Sequence, residues 1–200
     1  MIKVLNLYAG LGGNRELWKG CEVTAVESNP AIAAVYQERF PDDVVIVGDA
    51  HEYLRQNYSD FDFIWSSPPC PSHSRARFWN TKAERIYPDM DLYQEIIFLK
   101  HHFKGKWVVE NVVPYYEPLM KGEKIGRHFF WSNFDIKIDY TPNRIKVEVG
   151  NLPSFEAECG FSTEGVGKGM DRYRAIRNMV DPVLGERIFD CAFSEQVDWL

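Results

Sequence analysis

The first fifty residues of the chain alternate three times between a short apolar run and a turn or helical stretch. The apolar runs predict strands over residues 1–8, 21–26 and 44–47, and helices are predicted over residues 14–19 and 30–40. Strands spaced in this way pair in parallel through crossover connections, and such crossovers are right-handed. The pattern therefore predicts an α/β fold with a doubly wound, mostly parallel sheet, whose ligand binds beyond the carboxyl ends of the strands.

The other predicted elements continue this plan. Asn29 is a favourable N-cap and Pro30 suits the first position of the helix that follows. The apolar face of that helix is expected to consist of Ala31, Ala34, Val35 and Phe40. Further strands are predicted over residues 61–65, 107–109, 129–134 and 136–149, helices over 89–103, 114–120 and 181–197, and loops over 72–88 and 150–169.

The composition is that of an ordinary globular protein. Of the 200 residues, 45% are hydrophobic and 26% are charged, so one domain over residues 1–200 is expected. No two of the four cysteines form a Cys-x-x-Cys pair, which argues against a zinc site and against a disulfide framework. We therefore expect no metal and a reducing, cytoplasmic location. The first apolar run is too short for a signal peptide or a membrane span.

The net charge of −6 argues against broad nucleic-acid binding, because phosphate contacts require lysine and arginine. Local basic patches are compatible with this charge. Arg75 and Arg77 follow a cysteine-containing loop, and three more arginines lie close together late in the chain: Arg172, Arg174 and Arg177. Such clusters are more often solvated faces than binding sites.

A glycine-rich turn follows the first strand at residues 9–13, where glycine lets a cofactor approach the backbone closely. Arg15 stands at the last position of the dinucleotide fingerprint Gly-x-Gly-x-x-Gly, which argues against a nicotinamide dehydrogenase. Glu27 ends the second strand, where it is either a ribose-binding carboxylate or a solvated charge. Asp49 follows the third strand, either as a helix cap or as an acceptor for an adenine amine.

Two residues with reactive side chains follow the fourth and fifth predicted strands. Pro68 and Pro69 stop the fourth strand, because proline has a fixed φ and no amide donor. Cys70 comes next, among small polar residues, so a buried structural thiol and a reactive thiol are both open from this stretch alone. Glu110 ends the fifth strand, and the two side chains are expected at the same edge of the sheet.

Together these motifs resemble those of the DNA (cytosine-5) methyltransferases, in the family's order. Residues 6–13 are similar to the Asp-Leu-Phe-Ala-Gly-x-Gly-Gly motif, and residues 68–74 to the nucleophile loop Pro-Pro-Cys-x-x-Phe-Ser. Residues 110–112 match the Glu-Asn-Val motif, and residues 174–180 resemble the late motif Arg-x-x-Gly-Asn-x-Val. The resemblance implies a Rossmann-like fold of the S-adenosylmethionine-dependent methyltransferases.

The chain departs from the family pattern at several positions. Asn6 replaces an aspartate and Tyr8 a phenylalanine in the first motif, and His73 replaces a phenylalanine in the nucleophile loop. Arg177 replaces the glycine of the late motif. Residues 126–128, Gly-Arg-His, stand where the family has Arg-x-Arg. The long target-recognition segment of the family would here be reduced to an insert over residues 135–170.

The resemblance also implies a role for each matching residue. Catalysis would use Cys70, Glu110, Arg127 and His128. The cofactor, S-adenosylmethionine, would be held by Tyr8, Ala9, Gly10, Leu11, Gly12, Gly13, Glu27, Ser28, Asp49, Ala50, Pro69, Asn178 and Val180. The substrate would be contacted by Ser74, Arg75, Arg77 and Asn111.

The implied reaction transfers a methyl group from S-adenosylmethionine to carbon 5 of cytosine in DNA, through a covalent adduct with Cys70. The reduced insert predicts that the chain alone binds DNA weakly and with little sequence selectivity, so a partner subunit or self-association is expected. Two alternatives stay open. One is an RNA cytosine-C5 methyltransferase. The other is a catalytically weak or degenerate subunit that binds cofactor or DNA and works with a partner. The missing recognition segment and Arg177 favour this alternative, whereas Cys70 and Glu110 argue against it.

Overall fold

The computed structural model of the chain describes residues 1–75, 84–140 and 151–194. Within them lies a sheet of seven strands: β1 Ile2–Leu7, β2 Cys21–Glu27, β3 Val44–Val47, β4 Phe63–Ser66, β5 Lys106–Val112, β6 Glu123–Ile125 and β7 His128–Ser132. Their order is β3-β2-β1-β4-β5-β7-β6. The strands β1 to β5 are parallel, whereas β7 pairs antiparallel with β5 and with β6. The predicted doubly wound, mostly parallel α/β sheet is confirmed.

The described helices are α1 Pro30–Arg39, α2 Ala50–Asn57, α3 Asp91–His102, α4 Leu152–Cys159, α5 Gly169–Arg177 and α6 Pro182–Phe193, with 3₁₀ turns at Tyr58–Asp60 and Glu164–Val166. Helix α1 starts as predicted, since the Asn29 side chain accepts hydrogen bonds from two amides of its first turn. Its predicted apolar face is partly wrong: Ala34 is exposed, whereas Ala33 and Tyr36 are buried beside Val35.

The two faces of the sheet carry separate hydrophobic layers, and β4 contributes to both. Phe63 and Trp65 pack against the α6 side of the sheet together with Phe189. Ile64, which points to the other face, packs in the layer that holds Leu99 of α3. All residues of β4 are buried, which is why its sequence reads as a continuous apolar run rather than an alternating one.

Residues 14–19 do not form the predicted helix but a series of turns. The Trp18 ring stacks on Phe189 in the core, with ring centroids 5.1 Å apart. Arg15 donates to the carbonyl oxygen of Trp18 at 2.9 Å and forms a two-pronged ion pair with Asp43, at 2.9 and 3.0 Å. These tertiary contacts override the local helical tendency.

The short helix predicted over residues 114–120 is also absent, because the backbone there bonds to neighbouring segments. The Tyr115 amide donates to the His73 carbonyl at 3.1 Å, and the Leu119 amide donates to the Tyr93 hydroxyl at 3.1 Å. Strand β7 confirms most of the strand predicted over residues 129–134. Of the strand predicted over residues 136–149, residues 136–140 are not extended into a strand, and the rest lies outside the described residues.

The stretch predicted as a loop over residues 150–169 contains helix α4, a 3₁₀ turn and the start of α5, and that prediction is wrong. Its prolines and glycines delimit helices instead of excluding them. Pro153 lies in the first turn of α4, and Gly160 follows its last residue in the left-handed conformation, with φ of +73°. Leu152 contributes to a small hydrophobic cluster with Ile176 of α5.

Candidate active site

The carboxyl ends of the parallel strands open into a cleft of about 1330 Å³. Strands β1 and β4 are neighbours there although their crossovers leave in opposite directions, and α/β proteins bind ligands at such a switch point. The cleft brings together these predicted site residues: Tyr8, Ala9, Gly10, Leu11, Gly13, Glu27, Pro69, Cys70, Ser74, Arg75, Glu110, Asn111, Arg127, His128, Asn178 and Val180. Four others do not line it: Gly12, Ser28, Asp49 and Ala50. Arg77 lies outside the described residues.

The glycine turn after β1 is held between α1 and the segment that follows α5. A Cβ atom on Gly12, which has φ of +77°, would lie 2.3 Å from the Phe40 ring. A Cβ on Gly13 would lie 2.4 Å from the carbonyl oxygen of Val180, so a side chain at either position would displace its neighbours. Gly10 differs, because a Cβ there would meet only one backbone oxygen, at 4.0 Å. The turn therefore leaves open space beside Gly10, on the wall of the cleft.

Of the two acidic residues predicted to bind the cofactor, Glu27 lines the cleft and Asp49 does not. Glu27 is buried at the end of β2, and its two carboxylate oxygens accept hydrogen bonds from the amides of Gly10 at 3.0 Å and Asn29 at 2.9 Å. It lines the cleft directly beneath the glycine turn. Asp49 is exposed and caps α2, accepting from the amide of Glu52 at 2.9 Å. The geometry thus accounts for Asp49 as a helix cap.

The loop that carries Cys70 is fixed at both of its ends. The Asn111 side-chain amide donates to the Pro68 carbonyl at 3.0 Å, which ties the loop to β5. Beyond the thiol, the amides of His73 and Ser74 donate to the Cys70 carbonyl at 3.0 and 3.1 Å, forming one tight turn. Asn111 is itself buried, so its side chain serves to position the cysteine loop.

The electrostatic surroundings of Cys70 oppose and favour its thiolate at the same time. Burial raises the pKa of the Cys70 thiol above its ordinary value, and the charge of Glu110 raises it further. The positive charges of Arg127 and Arg177 lower the pKa of this thiol. The net direction of the pKa shift is upward, so the neutral thiol is favoured.

Glu110, His128 and Arg127 form a chain of hydrogen bonds across the end of β5 and the start of β7. Arg127 Nε donates to His128 Nε2 at 3.0 Å, so this imidazole nitrogen must be an acceptor. The proton of a neutral His128 then resides on Nδ1, which donates to Glu110 Oε1. Another nitrogen of Arg127 donates to the Met179 carbonyl at 2.8 Å and joins this chain to the late motif.

His73 replaces the family's phenylalanine without leaving the core. Its ring is fully buried, its Nδ1 lies 2.6 Å from the Tyr116 hydroxyl, and burial lowers its pKa. Its Nε2 has no hydrogen-bond partner among the described residues. The neighbouring Ser72 hydroxyl accepts from the Asp89 amide at 2.9 Å. These contacts anchor the cysteine loop to the segment that follows β5 and to the segment that precedes α3.

Basic side chains outnumber acidic ones along the cleft, although the chain as a whole is acidic. The basic residues of the lining are Arg75, Lys124, Arg127, Arg174 and Arg177, and the acidic ones are Glu27, Glu110 and Asp181. Arg172 is not among them: its guanidinium binds both carboxylate oxygens of Glu156, at 2.7 and 2.6 Å, and joins α4 to α5. Arg172 therefore has a structural role, unlike Arg174 and Arg177.

Two residues near the site are not singled out by any motif. Lys124 lines the cleft from β6, a strand of only three residues whose sequence has no strand signal. Glu95 lies fully buried on α3 behind the cleft. Its signal in the sequence is position, since it falls at helical spacing between Leu92 and Leu99, on the apolar face of the helix.

A family model described as C-5 cytosine-specific DNA methylase matches residues 2–115, more than half of the 200 residues. The chain belongs to this family. The match includes the glycine turn, the cysteine loop and the Glu-Asn-Val motif of the methylase. Its late motif lies beyond the matched range.

Three solved structures are similar to the methylase over part of its length. A conserved hypothetical protein of Streptococcus pyogenes aligns with a TM-score of 0.46 and 16% identity, over 66% of this chain and 86% of its own. A DNMT2 mutant from Spodoptera frugiperda aligns with a TM-score of 0.40 and 24% identity, over 56% of this chain and 36% of its own. A putative methyltransferase complexed with SAH aligns with a TM-score of 0.40 and 18% identity, over 56% and 31%. No curated protein sequence matches the chain significantly.

Two further findings concern metal binding and membrane insertion. In the part of the chain that the structure describes, no group of three or more histidine, cysteine, aspartate or glutamate side chains is arranged to hold a metal ion. Among the same residues, no helix combines the length and the apolar character needed to cross a membrane.

Proposed function

We propose that this methylase transfers a methyl group from S-adenosylmethionine to carbon 5 of cytosine in DNA through a covalent adduct with Cys70. The observation that carries the proposal is the cleft itself. It places a thiol after β4 and a carboxyl group on the neighbouring strand β5, facing the same space as the glycine turn after β1. Nucleophile, acid and cofactor turn are the three parts that the reaction requires.

The residues of the glycine turn fit S-adenosylmethionine. The turn leaves open space beside Gly10, and Glu27 lies below it as a hydrogen-bond acceptor for a ribose. Asn178 and Val180 line the same part of the cleft from the late motif. When bound, the cofactor supplies an electrophilic methyl group on its sulfonium sulfur.

Cys70 activates the target base, because carbon 5 of cytosine is a poor nucleophile on its own. Its thiolate adds to carbon 6, forming a carbon–sulfur bond and shifting an electron pair toward carbon 5. Carbon 5 can then accept the methyl group as the bond between that group and the sulfonium sulfur breaks, with S-adenosylhomocysteine as the leaving group. Loss of the proton from carbon 5 to solvent and departure of the thiolate from carbon 6 restore the aromatic ring and the free Cys70.

Glu110 donates a proton to ring nitrogen 3 as the thiolate adds, which prevents negative charge from building up on the ring, and takes this proton back when the thiolate leaves. The His128 Nδ1–H group holds Oε1 of Glu110, so the transferable proton belongs on Oε2. Arg127 fixes the tautomer of His128 from the far side of the ring. Protonation of Glu110 also removes one of the two influences that raise the pKa of Cys70, whereas burial, the larger one, remains.

The contact with DNA is expected to be local. Arg75, Arg174 and Arg177 line the cleft near Cys70, where they can bind phosphate oxygens without reading the sequence. The target base must leave its stack to reach the thiol. The insert over residues 135–170 is short compared with the recognition segment of the family, so weak and poorly selective binding, or a partner subunit or second copy, forms part of this proposal.

The test is to incubate the purified protein with a random-sequence DNA pool and cofactor labelled on its methyl group, and to identify the product nucleosides by mass spectrometry. Labelled 5-methylcytosine in many sequence contexts, absent with Cys70→Ala, is the expected result. A matched RNA pool distinguishes an RNA enzyme. Absence of product from both pools, with the cofactor demonstrably bound, would favour the degenerate subunit. A single stringent motif read by a monomer would contradict the expected poor selectivity.

A further inference from the structure

Glu95 is a carboxylic acid on the apolar face of α3, and its side chain is fully buried. A buried carboxylate is strongly unfavourable unless hydrogen-bond donors surround it. The proposed chemistry does not use Glu95, and it does not line the cleft. Its presence among leucine and isoleucine side chains therefore requires another explanation.

The hydrogen bonds of Glu95 reach both arms of the proposed active site. Its Oε1 accepts from the Tyr8 hydroxyl at 2.5 Å, and its Oε2 accepts from the Ser66 hydroxyl at 2.5 Å. Tyr8 begins the glycine turn, and Ser66 ends the strand that leads to Cys70. Leu7 and Ser66 are direct partners in the sheet, so one carboxylate joins the ends of two neighbouring strands. His51 of α2 completes the set, with Nδ1 at 3.0 Å from Oε1.

Tyr8 is held in an unfavourable backbone conformation. Its φ is +55°, and it is the one residue other than glycine with positive φ in the described part of the chain. Such conformations persist when surrounding contacts enforce them, and they concentrate at functional sites. The family motif has phenylalanine at the position of Tyr8. The hydroxyl group that distinguishes tyrosine from phenylalanine is the group that donates to Glu95.

We propose that Glu95 is a positioning residue that holds the cofactor turn through Tyr8 and the nucleophile strand through Ser66. The inference rests on the proposed function, because it assigns the two strand ends to cofactor and nucleophile. The proposed positioning role of Glu95 differs from a purely structural role in one measurable respect. Loss of the Tyr8 bond acts on cofactor binding, whereas loss of the Ser66 bond acts on the rate of methyl transfer with cofactor saturating.

The experiment measures binding of S-adenosylhomocysteine by calorimetry and single-turnover methyl transfer for a set of variants. Tyr8→Phe is expected to weaken binding by about twofold to tenfold, the usual effect of one hydrogen bond. Tyr58→Phe is the matched control, because its ring packs in the same hydrophobic layer and its hydroxyl has no hydrogen bond among the described residues. Ser66→Ala is expected to slow methyl transfer by a similar factor while leaving the affinity unchanged.

Glu95→Leu should combine both defects, and Tyr8→Phe should have no further effect on binding in that background. Glu95→Gln should restore much of the function, since its amide can bond to both hydroxyls. Equal affinities for Tyr8→Phe and Tyr58→Phe, or additive effects of Tyr8→Phe and Glu95→Leu, would overturn the inference. If Glu95→Leu does not fold, the separate effects of Tyr8→Phe and Ser66→Ala still decide it. Cofactor binding without methyl transfer by the wild type would refute the proposed function, and the affinities of the tyrosine variants would still test Glu95.

Discussion

Replacing Glu110 by glutamine isolates the proton that this residue is proposed to donate. A glutamine at this position keeps an amide oxygen to accept the hydrogen bond from His128 Nδ1, so the chain to Arg127 stays in place. What disappears is the acidic proton on the second oxygen and the negative charge near Cys70. Substrate binding should change little, because shape and hydrogen-bonding capacity are nearly conserved.

The expected loss of turnover is the contribution of general acid catalysis alone, because the substitution removes the acidic proton and keeps the hydrogen bond. General acid catalysis contributes typically about 10²–10⁴-fold to a rate, so turnover of Glu110→Gln should fall by that factor. This corresponds to about 2.7–5.4 kcal/mol in the barrier, at about 1.36 kcal/mol for each factor of ten. The assay is single-turnover transfer of a labelled methyl group to DNA at saturating cofactor. Wild-type turnover would refute the acid role and assign ring protonation to another group.

The same substitution has a second, opposite consequence for Cys70. Glu110 raises the pKa of the thiol, and alkylation requires the thiolate, so Glu110→Gln should move the alkylation profile of Cys70 to lower pH. Iodoacetamide labelling at one fixed pH, read by peptide mass spectrometry, should therefore be faster in the variant. Glu117→Gln is the control, because Glu117 is exposed and does not line the cleft. Unchanged or slower labelling would contradict the electrostatic link between Glu110 and Cys70.

Four further substitutions test separate parts of the molecule. Cys70→Ala should abolish methyl transfer and leave cofactor affinity nearly intact in calorimetry, and transfer at the wild-type rate would exclude the covalent adduct. Glu27→Ala should weaken cofactor binding by about 1.5–3 kcal/mol, the usual value for a hydrogen bond to a charged group. Asp49→Ala should lower the free energy of unfolding by about 1 kcal/mol through loss of a helix cap, and any accompanying loss of cofactor affinity would add an adenine contact to its role. Arg15→Ala leaves the buried Asp43 carboxylate without its ion-pair partner and should reduce the free energy of unfolding by about 3–5 kcal/mol in a urea titration, whereas a loss below 1 kcal/mol would mean that Asp43 finds another partner or takes up a proton.

The central strands could be predicted because their signal is local. Strands such as β4 are buried on both faces, so every residue is apolar or small whatever lies around it. Strand β6 could not be predicted, since two of its three residues are exposed and it exists only by pairing with β7. In the stretch 150–169, glycine and proline frequency predicted a loop. Gly160 there ends a helix, and composition alone cannot distinguish a helix boundary from a helix breaker.

The position of the cleft could be predicted from the sequence, because parallel strands bring their carboxyl ends to one edge of the sheet. The order of strands and motifs was sufficient to place Cys70 and Glu110 side by side there. The hydrogen-bond partners of Tyr8 and His73, which depart from the family pattern, could not be predicted from the sequence. Tyr8 and Glu95 are 87 positions apart, and His73 and Tyr116 are 43 apart, and neither pair carries a shared local pattern. A substitution such as phenylalanine to tyrosine reads as mild until the structure shows what the added hydroxyl binds.

The charges around Cys70 form a balance that the motifs alone do not reveal. Arg177 replaces a glycine of the family, yet it lines the cleft and its charge lowers the pKa of the thiol. Burial and the Glu110 carboxylate act in the opposite direction and prevail, so the resting thiol is protonated. Protonation of Glu110 cancels one of these two opposing effects and leaves the positive charge of Arg177 in place. In the proposed mechanism, proton uptake by Glu110 therefore lowers the pKa of Cys70 toward its ordinary value, while burial, the larger influence, continues to oppose the thiolate.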